Sequence, residues 1–128
     1  MPESTPPKRL LLIDDDPAVG TFIGRVATQC GYDVQLTTTA AAFRAAYAAF
    51  QPDVIVLDVS MPETDGIELL RGLAAMKCTA CILIVSGFHG GIVNAAYRLG
   101  AVHGLAMAGV VAKPVRADDL RRILERMR

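Results

Sequence analysis

The sequence predicts a doubly wound α/β fold, a five-stranded parallel sheet with helices on both faces. Two observations lead there. Short apolar runs alternate five times with longer stretches that carry apolar residues at helical spacing. Four of the apolar runs end in polar residues: Asp14-Asp15-Asp16, Asp58, Ser86 and Lys113. In a parallel sheet those ends share one edge, the edge where open α/β sheets hold their ligands.

The elements follow in chain order. Arg9 to Ile13 is a mainly apolar run and reads as the first strand. Asp16 suits the cap of the first helix and Pro17 its first position. Val19, Phe22, Ile23 and Val26 are spaced to face inward, and Gly31 marks the stop. Tyr32 to Leu36 is short and alternating, as an edge strand would be. Thr38 or Thr39 can cap the second helix, which carries Phe43, Tyr47 and Phe50 and ends before Pro52.

Asp53 to Leu57 is the third strand. Val54-Ile55-Val56-Leu57 does not alternate, which marks a strand buried on both faces, and it runs straight into Asp58. Burying a charge is costly, so Asp58 is expected where the strand ends and a cleft opens. Met61-Pro62 and Asp65-Gly66 are turn signals. Gly66 to Met76 reads as the third helix, with Ile67, Leu70, Leu73 and Ala74 on one face. Cys81 to Val85 is a second continuous apolar strand, ending at Ser86-Gly87. A fourth helix begins near Gly91 or Ile92 and stops at Gly100, or at the latest Gly104. Ala108 to Ala112 is the fifth strand. The last helix has Asp118 and Asp119 in its first turn, where acids suit the dipole, and a stripe of Leu120, Ile123, Leu124 and Met127. The first, third and fourth strands look most buried, so the flavodoxin-like order 2-1-3-4-5 fits best.

Composition narrows the function. At 128 residues and 52% hydrophobic, the chain is one globular domain. Residues 1–7 are expected to form a flexible N-terminal tail, and residues 8–128 the domain. Thirteen basic residues balance thirteen acidic ones, which argues against nucleic-acid binding. No apolar stretch approaches the roughly 18–20 residues that span a bilayer. The N-terminus lacks the apolar core of a signal peptide, so the expected location is the cytoplasm. Cys30, Cys78 and Cys81 are then reduced thiols. Cys78 and Cys81 have CxxC spacing, but they fall between a helix end and a strand start, the reverse of a redox motif. A zinc site there would need Cys30, His89 or His103, none in paired spacing; both histidines read as surface residues.

The strand ends carry the chemistry. Three or more clustered carboxylates repel one another unless a cation joins them. Hard oxygen ligands suit Mg²⁺, which binds through one or two carboxylates plus phosphate oxygens. Lys113 can pair with a phosphoryl oxygen as a point charge, and Ser86 can offer a hydroxyl to another. Asp58, alone on the central strand, is the best nucleophile.

These residues resemble the receiver domain of bacterial two-component response regulators, from Lys8 to Arg128. Leu11-Leu12-Ile13-Asp14-Asp15-Asp16-Pro17 is similar to the family's acidic-pair motif. Asp58-Val59-Ser60-Met61-Pro62-Glu63-Thr64-Asp65-Gly66 is similar to its phosphoacceptor motif. Ser86-Gly87 matches the Ser/Thr switch position, and Lys113-Pro114 the lysine-proline pair. The resemblance implies that Asp58 takes a phosphoryl group from a histidine kinase or phosphotransfer protein. It implies Mg²⁺ held by Asp15 directly, Asp14 mainly through water, Asp58 and the backbone carbonyl of Ser60. Ser86 and Lys113 would contact the phosphoryl group, and the Lys113-Pro114 bond would be cis. The changed face would be the fourth helix, fifth strand and fifth helix, read by an output domain or downstream protein. A homodimer stays open.

Three features depart from the family pattern. Val110 stands where an aromatic residue usually swings inward. The interval from Ser86 to Lys113 is longer than usual, with the extra residues between Asn94 and Ala108. Ser60 and Phe88, each two positions after a key residue, are neither carboxylates nor amides that could orient a water. Bulky Phe88 would shield the acyl phosphate, and slow autodephosphorylation is expected. Two other functions share part of this residue set. A haloacid-dehalogenase-like phosphohydrolase also uses Asp, Lys, Ser/Thr and Mg²⁺, and Asp14-x-Asp16 imitates its motif. However, Ala18 follows Pro17 where that class has Thr or Val, and there is no room for a cap domain. A receiver-like binding module that takes no phosphate is opposed by the intact pocket set.

Overall fold

A computed structural model describes residues 6–60, 66–87 and 91–127. The elements are β1 (Arg9–Ile13), α1 (Pro17–Gln29), β2 (Asp33–Thr37), α2 (Ala40–Phe50) and β3 (Val54–Asp58). They continue with α3 (Gly66–Ala75), β4 (Cys81–Ser86), α4 (Gly91–Val102), β5 (Ala106–Ala112) and α5 (Ala117–Arg126). The five strands pair in parallel in the order β2-β1-β3-β4-β5, the topology expected from the sequence.

Strand alternation builds two cores, one on each face of the sheet. Leu11, Ile13, Ile55, Leu57, Ile82 and Ile84 pack with residues of α2, α3 and α4, including Phe43, Leu70, Leu73 and Ala96. Leu10, Leu12, Val54, Val56, Leu83 and Val85 pack with residues of α1 and α5, including Ile23, Val26, Leu120 and Leu124. Every residue of β3 is buried. This is why its four apolar residues run without alternation.

Local chemistry sets the helix starts. Asp16 Oδ1 accepts from the Ala18 N–H, and Thr39 Oγ1 from the Ala42 N–H, each satisfying an otherwise free donor of a first turn. No side-chain hydrogen bond caps α5 at Arg116, where Asp118 and Asp119 supply the favourable first-turn charge.

Three expectations need correction. Phe22 is 37% exposed; Gly20, Ile23, Gly24, Val26 and Ala27 form the buried face of α1. The second and third strands each lie one residue further along than expected, and Asp53, just before β3, accepts the Arg9 N–H on its side chain. β5 begins at Ala106, since a bulge between Met107 and Gly109 leaves Ala108 as an extra residue, with Gly109 at φ 153°. α4 ends at Val102, inside the expected bounds of Gly100 to Gly104, and a Cβ at Gly100 would collide with Met107 Sδ, so that glycine serves helix-to-strand approach. The turn signals Met61-Pro62, the following Glu63-Thr64-Asp65, and Phe88 and His89 lie outside the described residues, as does most of the N-terminal tail.

Tyr32 lashes α5 to the opposite end of the chain. Its buried hydroxyl donates to the Leu124 carbonyl at 2.7 Å, in the last turn, where that carbonyl otherwise takes only the Met127 N–H at 3.2 Å. Tyr32→Phe removes the shorter of two hydrogen bonds to that carbonyl, leaving the 3.2 Å Met127 N–H, and should lower the unfolding free energy by about 1 kcal/mol. Urea denaturation measures this, and an unchanged midpoint would contradict it.

Candidate functional site

The strand register brings the four polar ends to one edge. Ile13 pairs with Leu57, Asp58 with Val85 and Ser86 with Ala112, so Asp14 and Asp58 are level, with Ser86 one residue and Lys113 two residues beyond them at the same edge. Asp58 is the last residue of β3 and Ser86 the last of β4. The Lys113 N–H donates to the Ser86 carbonyl at 2.9 Å, which fastens the lysine beside the β4 end. The Lys113-Pro114 bond is cis.

Asp58 is more enclosed than a cleft-facing acid would be, with 1% exposure. Its two oxygens divide their partners. Oδ2 accepts from Lys113 Nζ at 2.9 Å. Oδ1 accepts from the Ser60 backbone N–H at 2.8 Å and from the Ser60 hydroxyl at 2.6 Å. Buried charge is tolerated here because it is paired and hydrogen-bonded.

Asp14 is equally buried and follows β1 directly. Its Oδ1 accepts from the Asp16 N–H at 2.9 Å. Its Oδ2 stands 3.1 Å from Lys113 Nζ, an ion pair, yet accepts no hydrogen bond. Thr37 braces this end of β1: its hydroxyl donates to the Leu12 carbonyl and its own carbonyl receives the Asp14 N–H. Asp15 is exposed. One carboxylate oxygen from each of Asp14, Asp15 and Asp58 lies within 4.8 Å of the others.

Three carboxylates against one ammonium leave the site short of positive charge. Burial pushes the Asp14 carboxyl above its ordinary value; the Asp16 N–H and Lys113 oppose this without cancelling it, and Asp58 adds to it. Burial acts to lower the Lys113 ammonium, but its close pairing with Asp58 and Asp14 outweighs this and raises it. The under-satisfied Asp14 Oδ2 and the all-oxygen donor set fit a hard divalent cation such as Mg²⁺.

The residues singled out in the sequence therefore converge, with one addition. Only the Ser60 backbone carbonyl was expected to matter, whereas its side chain also holds Asp58 and accepts the Gly87 N–H at 3.3 Å. A polar residue two positions after a strand-end acid is the signal that could have found it, since Asx-type turns close over that spacing. Cys30, Cys78 and Cys81 carry no disulfide, and Cys78 is buried between α3 and β4. His103 is exposed just past α4.

The raised Asp14 carboxyl has a measurable consequence. Its folded pKa exceeds the unfolded 3.8, so stability falls as pH rises through the folded value. With divalent cations chelated, Asp14→Asn should melt at a higher temperature than wild type at about pH 7, with an advantage that shrinks toward about pH 4. A less stable variant at neutral pH would contradict the charge-excess account.

Comparison with known proteins agrees with this arrangement. Residues 10–125 match the response regulator receiver domain family. The chain is 36% identical over 118 residues to the transcriptional regulatory protein FixJ of Bradyrhizobium diazoefficiens, covering 91% of this chain and 54% of that one. It is 35% identical over 125 residues to protein-glutamate methylesterase/protein-glutamine glutaminase 2 of Burkholderia thailandensis, covering 94% of this chain and 35% of that one. The chain thus spans about a third to a half of the length of these relatives. Among solved structures, a response regulator from Colwellia psychrerythraea superposes with a TM-score of 0.78 at 26% identity, covering 94% and 95% of the two chains. The signal receiver domain from Bermanella marisrubri gives 0.77 at 27% identity, covering 94% and 98%. Nothing in the fold or these likenesses favours a phosphohydrolase. The chain belongs to the response regulator receiver domain family, the phosphoacceptor modules of two-component signalling.

Proposed function

We propose that Asp58 is the phosphoacceptor and that residues 8–128 act as one receiver unit behind a short tail. The observation that supports this best is the set of partners around Asp58: Lys113 Nζ at 2.9 Å on Oδ2, with oxygens of Asp14 and Asp15 within 4.8 Å. A carboxylate held between an ammonium and an acid cluster is placed to attack a phosphoryl group.

The donor is a phosphorylated histidine on a sensor kinase or phosphotransfer protein. An Asp58 oxygen forms the new P–O bond while the P–N bond to the donor imidazole breaks, and the electron pair leaves with the imidazole. Lys113 follows the charge that moves onto the phosphoryl oxygens, and the Ser86 hydroxyl takes one of them. Asp14, Asp15, Asp58 and the Ser60 carbonyl would hold Mg²⁺, which when bound neutralises the acid cluster and the transferring group. The chain's own chemistry is confined to taking up this group and losing it. Because neither Ser60 nor Phe88 offers a carboxylate or amide to orient water, loss is slow.

The readout is assigned to α4, β5 and α5. Val110 is 41% exposed on β5, at the floor of a groove lined by Arg116, Arg122, Ile123 and Arg126. An aromatic toggle has no counterpart there, so the signal passes through the β4 end and Lys113 rather than an inward-swinging ring. Relatives named as a methylesterase and as a transcriptional regulatory protein support an output module or downstream protein, and the cytoplasm is the proposed location. Among the described residues, no helix is long and apolar enough to cross a membrane.

Intact-mass analysis with acetyl phosphate should show one added phosphoryl group in wild type with Mg²⁺, and none in Asp58→Asn or with the metal chelated. Uptake by Asp58→Asn would contradict the assignment. After the donor is removed, the phosphorylated protein should persist for minutes or longer. A half-life of seconds would sink the slow-loss prediction.

A further inference from the structure

The side chain of Ser60 has a position that phosphoacceptance alone does not require. Its hydroxyl donates to Asp58 Oδ1 at 2.6 Å and accepts from the Gly87 N–H at 3.3 Å. It thereby bridges the end of β3 to the residue that follows β4. The Ser60 backbone N–H occupies the same Asp58 oxygen at 2.8 Å.

A carboxylate oxygen offers about two lone-pair directions. Both directions on Oδ1 are thus taken by Ser60. A divalent cation shared with Asp14 and Asp15 needs an oxygen of Asp58. At Oδ2 it would face the Lys113 ammonium, 2.9 Å away. Oδ1 is the oxygen left, and one of its two donors has to yield. The backbone N–H belongs to a turn closed over two residues and stays. The hydroxyl turns away by rotation of one side-chain bond.

Resting on the phosphoacceptor reading above, we infer that the Ser60 hydroxyl is a positioning group that competes with the divalent cation for Asp58 Oδ1. Its displacement by the cation also frees the Gly87 N–H. Metal occupancy is thereby reported to the segment after β4 before any phosphoryl group arrives. In the metal-free protein the same hydroxyl keeps Asp58 oriented with Oδ2 toward Lys113.

Mg²⁺ titration of the full chain, followed by amide NMR, tests this. Removing the competitor in Ser60→Ala should tighten Mg²⁺ binding about three- to tenfold, the range an ordinary net hydrogen bond commands. Ser60→Thr, which keeps a hydroxyl, should stay close to wild type. The Gly87 amide should shift with Mg²⁺ in wild type. In Ser60→Ala it should start displaced and move little. The wild-type Gly87 measurement stands even if a variant fails to fold. An unchanged or weaker Mg²⁺ constant in well-folded Ser60→Ala, or a Gly87 amide indifferent to Mg²⁺ in wild type, would overturn the Ser60 role alone. Failure of wild type and variant alike to take up millimolar Mg²⁺ would overturn the phosphoacceptor reading with it.

Discussion

One ammonium between two buried carboxylates is the constraint on which this site depends. Lys113 Nζ lies 2.9 Å from Asp58 and 3.1 Å from Asp14, and both acids are about 1% exposed. Removing the ammonium would strand two carboxylates in the interior, which costs far more than the set contributes to stability, whereas neutralising one of the two acids leaves the other paired. The sheet exists in the form needed to hold it. β1, β3 and β4 are filled with leucine, isoleucine and valine on both faces, so their ends cannot drift relative to one another. Lys113 reaches the acids because its own N–H is fastened to the Ser86 carbonyl. Rigid strands therefore hold a charge imbalance that a bound cation relieves.

Much of the fold was legible because its signals are local. Unbroken apolar runs marked β3 and β4, and Asp16-Pro17 marked the start of α1 through a cap that the structure contains. What was misplaced depends on tertiary contact. Phe22 has helical spacing for the core, but Gly20 and Gly24 occupy the closest approach, with a Cβ at Gly24 only 3.0 Å from Leu36 Cδ2. Gly100 lies within the expected end of α4, but its packing role shows only when Met107 of β5 is seen against it. The bulge at Ala108 is invisible to a period-two pattern, because it inserts a residue without changing composition.

The site was legible in its charged residues and obscure in its neutral one. Asp14, Asp15, Asp58 and Lys113 each stood at a strand end, where topology alone predicts convergence. Ser60 looked like a donor of one backbone carbonyl. Its hydroxyl matters only because the turn folds it back over Asp58 and toward Gly87, and that depends on two loops meeting. Val110 shows the opposite case: the sequence marked the missing aromatic, and the structure shows a half-open groove with three arginines along α5 in its place. The means of reception is thus closer to the family's common pattern than the means of readout.

The central claim is that the acyl phosphate forms on Asp58 and nowhere else. Borohydride reduction of the protein phosphorylated with Mg²⁺, followed by peptide mass analysis, tests it most directly, because an aspartyl phosphate is reduced to homoserine. The account predicts homoserine at position 58 alone. Homoserine at position 14 or 15, or its absence from a protein that carries the phosphoryl group, would contradict it.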